Sequence, residues 1–489
     1  MLTVLSFIYM VCAIALTAYA IGSVVLLLTY LRYRHIKLKS PTLKEYPTVA
    51  VQLPIYNEYY VVERLLESVA KLDYPSDKLF IQVLDDSTDI TRDKVAEIVA
   101  RLKQAGVQIE HVCRENREGF KAGALAYGLT LLNVKYVAVI DADFVLPSHF
   151  LKRIIPYLEG EPRIGMVQTR WGHLNSESNL LTRGQSLALD GHFVVEQTAR
   201  NRAGWLMNFN GTGGVWRVKT IEQAGGWHDD TLTEDLDLSY RAQLIGWRFL
   251  YLPEVVVPGE LPPNIFAYKQ QQARWAKGGS QCMKLLLGPI WRNPDLSLAQ
   301  KVMATLHLCQ YTVHAVIILL LLLTPPLLIT GELQTIPLGS LGLLSIAPPI
   351  IFVLSQYDLY TDWTRRILSL PALLMMGMGM AWTNARAVMS GLFSKRKEEF
   401  KRTPKYAEQR SHSIYKVKFN SNILWEGFLA VYCIGGAVVA WHLGGAYLPY
   451  LGLYALAFSI MTLWGVRDYL QLRRQTGVER VVQPTASSL

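Results

Sequence analysis

Four short polar clusters follow one another in a fixed order within this chain of 489 residues. They are Asp85-Asp86, Asp141-Ala142-Asp143, Thr233-Glu234-Asp235 and Gln271-Gln272-Ala273-Arg274-Trp275. Carboxylates can bind a metal ion or act as a base, and an arginine beside a tryptophan can bind a pyrophosphate and a sugar ring. Long apolar runs on both sides of the clusters indicate a catalytic domain that lies at a membrane.

The Asp141-Ala142-Asp143 cluster follows an apolar, strand-like run at residues 137 to 140. Alternate residues of an extended chain point the same way, so both carboxylates can face one ligand. Mg2+ and Mn2+ prefer oxygen donors and often share one or two carboxylates with a substrate diphosphate. The cluster therefore predicts Mg2+ or Mn2+ as a cofactor. Lys121 could add charge against a phosphate or could be a solvated lysine, and the chain has no P-loop motif.

Thr233-Glu234-Asp235 precedes a helical run at residues 236 to 244 and has two interpretations. Thr233 could cap that helix, with the acidic side chains favoured by the helix dipole. Alternatively, a carboxylate here is a general base that accepts the proton of a sugar hydroxyl, which contributes about 10^2 to 10^4 in rate. One base is sufficient for a single displacement with inversion, whereas a glycosidase needs two flanking carboxyl groups.

Two turns at strand ends suit a nucleotide. The first contains Pro54, Tyr56, Asn57 and Glu58. It could bind a base and a ribose, or it could be an ordinary loop in which Asn57 caps a helix. Asp85 and Asp86 form the second turn, where adjacent carboxylates suit a ribose, a base or a metal, although such sequences also cap helices.

The Gln271 to Trp275 cluster lies in a polar, helix-like stretch just before an apolar run. Arg274 could clamp a diphosphate through its planar guanidinium, and Trp275 offers an apolar face to an acceptor sugar. Both side chains could instead anchor the chain at the membrane interface. Asn210, Gly211 and Thr212 supply a flexible backbone with polar side chains, which could bind a ligand or form a hairpin.

The composition is that of a membrane protein. Apolar residues make up 51% and charged residues only 18% of the chain, whereas soluble proteins average about 25% charged residues. The net charge is +10, and the basic residues concentrate beside apolar runs, as do Arg32, Arg34 and those at 395 to 405. The predicted partner is therefore the lipid headgroups of a membrane and not nucleic acid. Five dispersed cysteines support neither a disulfide framework nor a zinc site.

The chain divides into five predicted parts. These are a transmembrane helix at 1–31, a cytosolic domain at 40–280, an interfacial helix at 281–300, a transmembrane channel region at 301–470 and a cytosolic tail at 471–489. Residues 1–31 lack a basic start, which argues against a cleaved signal peptide. Later spans are predicted near 303–328, 340–356, 368–392, 423–442 and 447–466. Three full crossings after the cytosolic domain would place the basic residues 395 to 405 outside the cell. If these residues are cytosolic, one of the first three of these spans does not cross the membrane. The segment at 368–392 is the candidate for a re-entrant or interfacial segment because it contains Pro371.

Short apolar strands alternate with amphipathic helices between residues 47 and 260. Strands are predicted at 48–53, 79–84, 107–113 and 136–140, and helices at 61–72 and 91–105. This alternation predicts an α/β, Rossmann-like domain with a mainly parallel sheet, whose ligands lie at the carboxyl ends of the strands. Both Asp85-Asp86 and the Asp141 cluster fall at such ends.

Taken in order, these elements resemble the inverting family 2 glycosyltransferases with a GT-A fold, in the membrane-embedded cellulose synthase-like branch. The similarity covers residues 47 to 290 and is closest to plant glucomannan and xyloglucan-backbone synthases. It rests on residues 82–89, 136–144, 195–197, 209–217, 224–227 and 246–251 together with the clusters above.

The resemblance implies a role for each cluster. Asp85 would contact the nucleotide base, Asp141 the nucleotide and Asp143 the metal. Asp235 would be the catalytic base, in the Thr233-Glu234-Asp235 cluster. Gln271, Arg274 and Trp275 would hold the diphosphate and the acceptor, with Asn210 to Thr212 near the acceptor, and the membrane helices would form a channel for the polymer.

The leading hypothesis is a processive hexosyltransferase that extends a β-1,4-linked glucan or mannan from UDP-glucose or GDP-mannose and exports it. Its partners would be the nucleotide sugar, the growing polysaccharide and the lipid bilayer of the plasma or inner membrane. One alternative is a single transfer to a lipid acceptor such as ceramide or polyprenyl phosphate. A transporter is a further alternative, but it would need charged residues inside the spans, which offer almost none.

Overall fold

The computed structural model describes residues 2–335, 346–394 and 421–482, which form a seven-stranded mixed sheet covered by helices and a group of long apolar helices. The strands are β1 Val49–Ile55, β2 Leu79–Asp85, β3 Ile109–Cys113, β4 Tyr136–Val139, β5 Ile164–His173, β6 Gly214–Arg217 and β7 Arg248–Gly259. Their order in the sheet is β3-β2-β1-β4-β6-β5-β7.

The helices of the first half are α1 Leu2–Tyr33, α2 Val62–Ala70, α3 Thr91–Gln104, α4 Phe120–Thr130, α5 Phe150–Gly160, α6 Leu180–Asp190, α7 Thr198–Arg202, α8 Val218–Gln223 and α9 Glu234–Leu244. Those of the second half are α10 Ile265–Arg292, α11 Leu298–Leu308, α12 Thr312–Ile329, α13 Ala347–Leu359, α14 Trp363–Arg366, α15 Leu370–Gly379, α16 Ala381–Phe393, α17 Asn422–His442 and α18 Leu448–Val482. A π-helical segment, Gly191–Gln197, joins α6 to α7.

The predicted α/β domain is confirmed. β1 to β4 lie within two residues of the predicted strands, and α2 and α3 match the predicted helices. β4 is buried along its whole length, and β1 is buried except at Pro54, because helices cover the sheet on each side. β6 is the exception to the parallel pattern, since it runs antiparallel to both β4 and β5.

Strand direction determines where the site can form. β1 runs parallel to both of its neighbours, β2 and β4. β5 has the same direction as β4, because both are antiparallel to β6. The carboxyl ends of these four strands therefore meet at one edge of the sheet. Asp85, Asp141 and His173 all lie at that edge.

Within the described residues, four helices are long and apolar enough to cross a membrane, at residues 3–33, 312–329, 422–442 and 448–470. The span predicted at 340–356 lies partly outside the described residues, and its described part falls in α13, Ala347–Leu359. The segment at 368–392 is a helix pair bent by 43°, either a broken span or a re-entrant loop. The basic residues 395 to 405, on which the topology argument depends, lie outside the described residues.

Helix α10 joins the α/β domain to the long apolar helices. It has 28 residues and runs through the predicted boundary at residue 280, so no separate interfacial helix begins there. The backbone N–H of Ile265 donates to Asp468 of α18 at 3.0 Å. One turn further on, Lys269 forms an ion pair with Glu426 of α17, at 2.5 Å between Nζ and Oε2. Glu426 is thus an exception to the predicted scarcity of charge inside the spans.

The Lys269–Glu426 pair is almost completely removed from solvent, with side-chain exposures of 1% and 0%. We expect Glu426→Ala to leave the ammonium of Lys269 buried without its charge partner, which costs about 3–5 kcal/mol. A thermal melt of the detergent-solubilised protein would show this as a lowered Tm. The double variant Lys269→Met/Glu426→Leu is the control and should melt near the wild type; an equal loss in both variants would contradict an electrostatic origin.

Candidate active site

A cleft opens at the carboxyl edge of the sheet, between the strand ends and α10. Its lining includes residues of all four sequence clusters. From the predictions it contains Pro54, Tyr56, Glu58, Asp86, Lys121, Asp141, Asp143, Asn210, Gly211, Thr233, Glu234, Asp235, Gln271, Arg274 and Trp275. Residues up to 221 positions apart in sequence are therefore brought into one site.

Lys121 lies at the centre of the acidic side chains. Its Nζ is 2.6 Å from Oδ1 of Asp141 and 3.7 Å from Oε1 of Glu234, and it donates to the carbonyl of Gly211 at 2.9 Å. Burial would lower the pKa of Lys121, but Asp141 and Glu234 raise it above its ordinary value. Lys121 is therefore a charged member of the site and not a solvated surface lysine.

The loop at residues 210 to 212 closes over β4. Gly211 adopts a φ of +82°, and a Cβ there would lie 2.9 Å from Oδ2 of Asp235, so only glycine fits this close approach. Thr212 is buried, and its hydroxyl accepts a hydrogen bond from the backbone N–H of Asp141 at 2.9 Å. Thr212 thus holds the Asp141 cluster in place.

Asp235 is the second residue of α9. The alternative that Thr233 caps this helix is not observed, since its side chain makes no capping hydrogen bond within the described structure. Burial and the charge of Glu234 raise the pKa of Asp235 to about 7, although Lys121 opposes the shift. A carboxylate that titrates near neutral pH is well matched to act as a general base.

Helix α10 presents Gln271, Arg274 and Trp275 to the cleft. The three lie between roughly 140° and 240° around the helix from Lys269, at about 100° per residue, so the cleft face is opposite the ion pair. Further along α10, a Cβ on Gly278 would lie 2.6 Å from Thr233, and Gln281 accepts the backbone N–H of Leu232 at 2.9 Å. The same helix therefore lines the cleft and positions the loop before Asp235.

One end of the cleft lies at the carboxyl ends of β1 and β2. The guanidinium of Arg117 is 3.4 Å from the ring centroid of Tyr56. Asp86 accepts two hydrogen bonds from Arg114, at 3.0 and 2.6 Å. Sequence analysis did not identify either arginine, although both lie in the charged run that leads to Lys121.

Three predicted site residues are not part of the lining of the cleft formed by the described residues: Asn57, Asp85 and Thr212. Asn57, at a φ of +57°, does not cap α2; its Oδ1 accepts the backbone N–H of Thr88 at 2.8 Å and so joins two loops. Asp85 is buried and bonds to His111 at 2.8 Å and to the N–H of Ser87 at 2.8 Å. Burial would raise the pKa of Asp85, but these hydrogen bonds lower it below its ordinary value.

The acidic residues of the cleft fit a divalent cation. Asp141, Asp143, Glu234 and Asp235 share the site with the positive charges of Lys121 and Arg274. Carboxylate oxygens are the donors that Mg2+ and Mn2+ prefer. A second group, Asp85, His111 and Cys113, has its ligand atoms within 4.8 Å of one another but includes a softer thiol. The five cysteines, all in the described part of the chain, are free thiols.

Comparison with known proteins agrees with this geometry. A family model described as glycosyltransferase like family 2 matches residues 47–278. Glucomannan 4-beta-mannosyltransferase 2 of Arabidopsis thaliana is 35% identical over 446 residues, which is 87% of this chain and 82% of the relative. Glucomannan 4-beta-mannosyltransferase 9 of the same plant is 43% identical over 261 residues, and the match spans about half of its length, 49%.

A solved mannosyltransferase from Pyrobaculum calidifontis, in complex with GDP-Man and Mn2+, has the same fold. Its TM-score is 0.51 at 22% identity, and the match covers 79% of this chain and all of that one. The fold and the cleft thus define a GT-A glycosyltransferase with helices suited to a membrane. The chain belongs to glycosyltransferase family 2, in the cellulose synthase-like branch that includes the glucomannan 4-beta-mannosyltransferases. The single transfer to a lipid acceptor is not favoured by these relatives.

The pKa of Asp235 leads to a prediction for the pH dependence. A general base acts in its ionised form, so kcat/KM should increase as the pH rises through about 7. At lower pH kcat/KM should decrease, because protonation of Asp235 removes the proton acceptor. Initial rates between pH 5 and 9 would be measured for the wild type. A profile without an inflection near neutral pH would contradict the assignment of Asp235 as the base.

Proposed function

We propose that this protein is a processive, inverting glycosyltransferase that extends a β-1,4-linked mannan or glucomannan from GDP-mannose. The observation that carries the proposal is the meeting of the Asp141 cluster, Asp235 and the Arg274-Trp275 face in one cleft. GDP-mannose is favoured over UDP-glucose because the curated relatives are named as mannosyltransferases. The long apolar helices that pack against α10 would guide the polymer across the plasma or inner membrane from a cytosolic catalytic domain.

In the proposed reaction, an acceptor hydroxyl oxygen forms a bond to the anomeric carbon of the donor sugar. The bond from that carbon to the diphosphate oxygen breaks, and the nucleoside diphosphate leaves with the electron pair. Asp235 accepts the hydroxyl proton, and attack from the face opposite the leaving group inverts the configuration. Lys121 and Arg274 place positive charge near the leaving diphosphate, while Trp275 presents an apolar face to the acceptor ring.

Asp143 would hold a divalent cation, with Asp141 beside it at the end of β4. Such an ion would neutralise charge on the diphosphate. Arg117 and Tyr56 would form the nucleotide end of the cleft, with Pro54, Glu58 and Asp86 around them. Asp85 would act from behind, through the loops that it holds in place.

The proposal is tested by supplying the lipid-reconstituted protein with labelled GDP-mannose or UDP-glucose and Mn2+ or Mg2+. We expect a long product from GDP-mannose that a β-1,4-mannanase degrades. Label found only in the lipid fraction would identify a single-transfer enzyme instead. No transfer from either donor would overturn the proposal.

Asp235→Asn should retain nucleotide-sugar binding but lose transfer by at least about 100-fold, because an amide cannot accept the hydroxyl proton. Binding would be measured by titration with GDP-mannose and transfer by product formation. Asp237→Asn is the matched control for general effects on α9, because Asp237 is a buried carboxylate in the same helix and pairs with Arg241. Near-normal turnover of Asp235→Asn would exclude Asp235 as the base.

Asp143→Ala should abolish the increase in GDP affinity that Mn2+ provides, because the carboxylate proposed to hold the ion is gone. Calorimetric titration of GDP with and without Mn2+ measures this directly. Asp73→Ala, which removes an exposed carboxylate paired with Lys152, is the control and should behave as the wild type. Unchanged Mn2+ dependence in Asp143→Ala would place the metal site elsewhere.

A further inference from the structure

His173 is a buried histidine that lines the cleft and that the proposed reaction does not use. It is the last residue of β5, and its side chain is 3% exposed. The imidazole Nε2 lies 2.9 Å from Oδ1 of Asp190, at the end of α6. Sequence analysis missed this residue because a lone histidine has no distinguishing pattern.

Asp190 fixes the orientation of the imidazole. Its side chain is 1% exposed, and its second oxygen accepts a hydrogen bond from Nε2 of Gln356 in α13 at 2.9 Å. Both carboxylate oxygens therefore have partners. A carboxylate oxygen accepts hydrogen bonds, so Nε2 of His173 is the donor in this contact, and Nδ1 is the ring nitrogen that is available to another molecule.

Nδ1 of His173 is buried and has no hydrogen-bond partner among the described residues. The same holds for Nδ2 of Asn210, which lines the same cleft. Oδ1 of Asn210, in contrast, accepts a hydrogen bond from the side-chain Nδ2 of Asn208 at 3.0 Å and lies 3.1 Å from Nε2 of His192. Buried polar atoms usually have a partner, and these two incomplete groups in one cleft offer hydrogen-bonding capacity that a bound ligand can complete.

The position of His173 separates it from the nucleotide end of the cleft. In the sheet, β4 and β6 lie between β1 and β5, which places the ends of β1 and β5 roughly 14 Å apart at about 4.8 Å per strand. Trp171, two residues before His173, lines the cleft together with Leu261 and Pro262. This end of the cleft therefore combines apolar surface with a few polar groups, as sugar rings require.

We propose that His173 and Asn210 form a hexose subsite in which Nδ1 of His173 and Nδ2 of Asn210 bond to sugar hydroxyls. A hydroxyl both donates and accepts, so it pairs with the imidazole nitrogen and with the amide N–H. The proposal rests on the proposed function and names His173 as a contact for the sugar. The sugar is either the one being transferred or the terminal unit of the acceptor, and Asp190 is the positioning residue for the imidazole.

Two variants separate the sugar contact from the structural role of the histidine. His173→Gln places an amide near the position of Nε2, which keeps a donor for Asp190 but removes Nδ1. His173→Asn places an amide near the position of Nδ1 but cannot reach Asp190. We expect His173→Gln to have the same Tm as the wild type, while its KM for one sugar substrate rises about three- to tenfold. His173→Asn should melt lower but show a smaller change in KM.

The substrates identify which sugar is bound. A rise in KM for β-1,4-mannotetraose assigns the subsite to the acceptor, and a rise for GDP-mannose assigns it to the transferred sugar; affinity for GDP alone should stay unchanged. Unchanged KM for both substrates in His173→Gln would overturn the subsite. Direct titration with mannotetraose and with GDP-mannose tests the subsite even if the wild type transfers no sugar, a result that would reject the proposed function alone. Weaker binding of either ligand to His173→Gln than to the wild type would support the subsite, and unchanged binding of both ligands would overturn it.

Discussion

The docking of α10 is the constraint on which the site depends. One face of this helix carries Gln271, Arg274 and Trp275 into the cleft, and the opposite face carries Lys269 to a buried carboxylate of α17. A buried ion pair tolerates little displacement, because a separated charge in an apolar interior is costly. The pair therefore fixes both the rotation of α10 about its axis and its position along it. Gly278 allows the later part of the helix to contact the loop that leads to Asp235.

This arrangement links the chemistry to the helices suited to a membrane without any flexible connection. α16 also packs closely on α10, since a Cβ on Gly391 would lie 2.5 Å from the carbonyl of Lys277. In the proposed reaction the acceptor end of the polymer and the apolar helices would therefore keep a constant relation to the base. That relation suits repeated addition to one chain, because each cycle must return the new end of the polymer to the same place.

The second organising feature is the excess of carboxylates around Lys121. Burial and mutual repulsion raise the pKa values of Asp141 and Asp235, and Lys121 limits both shifts. The cluster thus keeps the pKa of Asp235 at about 7. The electrostatic balance depends on distances of 2.6 and 3.7 Å between groups that are 20 and 113 residues apart in sequence.

The sequence by itself determined the alternation of strands and helices, the strand-end position of Asp141 and Asp143, and the apolar helices, because these follow from local periodicity and from the short range of backbone geometry. The sequence also identified Asp235 as a candidate site residue, because the order of the motifs along the chain can be read without the structure. Only the tertiary structure decided that Asp85 lies behind the cleft with His111, that Asn57 joins loops and does not cap a helix, and that residues 281 to 292 continue α10. It alone brought His173 to Asp190 and Lys269 to Glu426. Those outcomes depend on contacts between segments that are distant in sequence. In such contacts, burial and charge pairing determine which polar groups bond to each other, and the local sequence pattern does not.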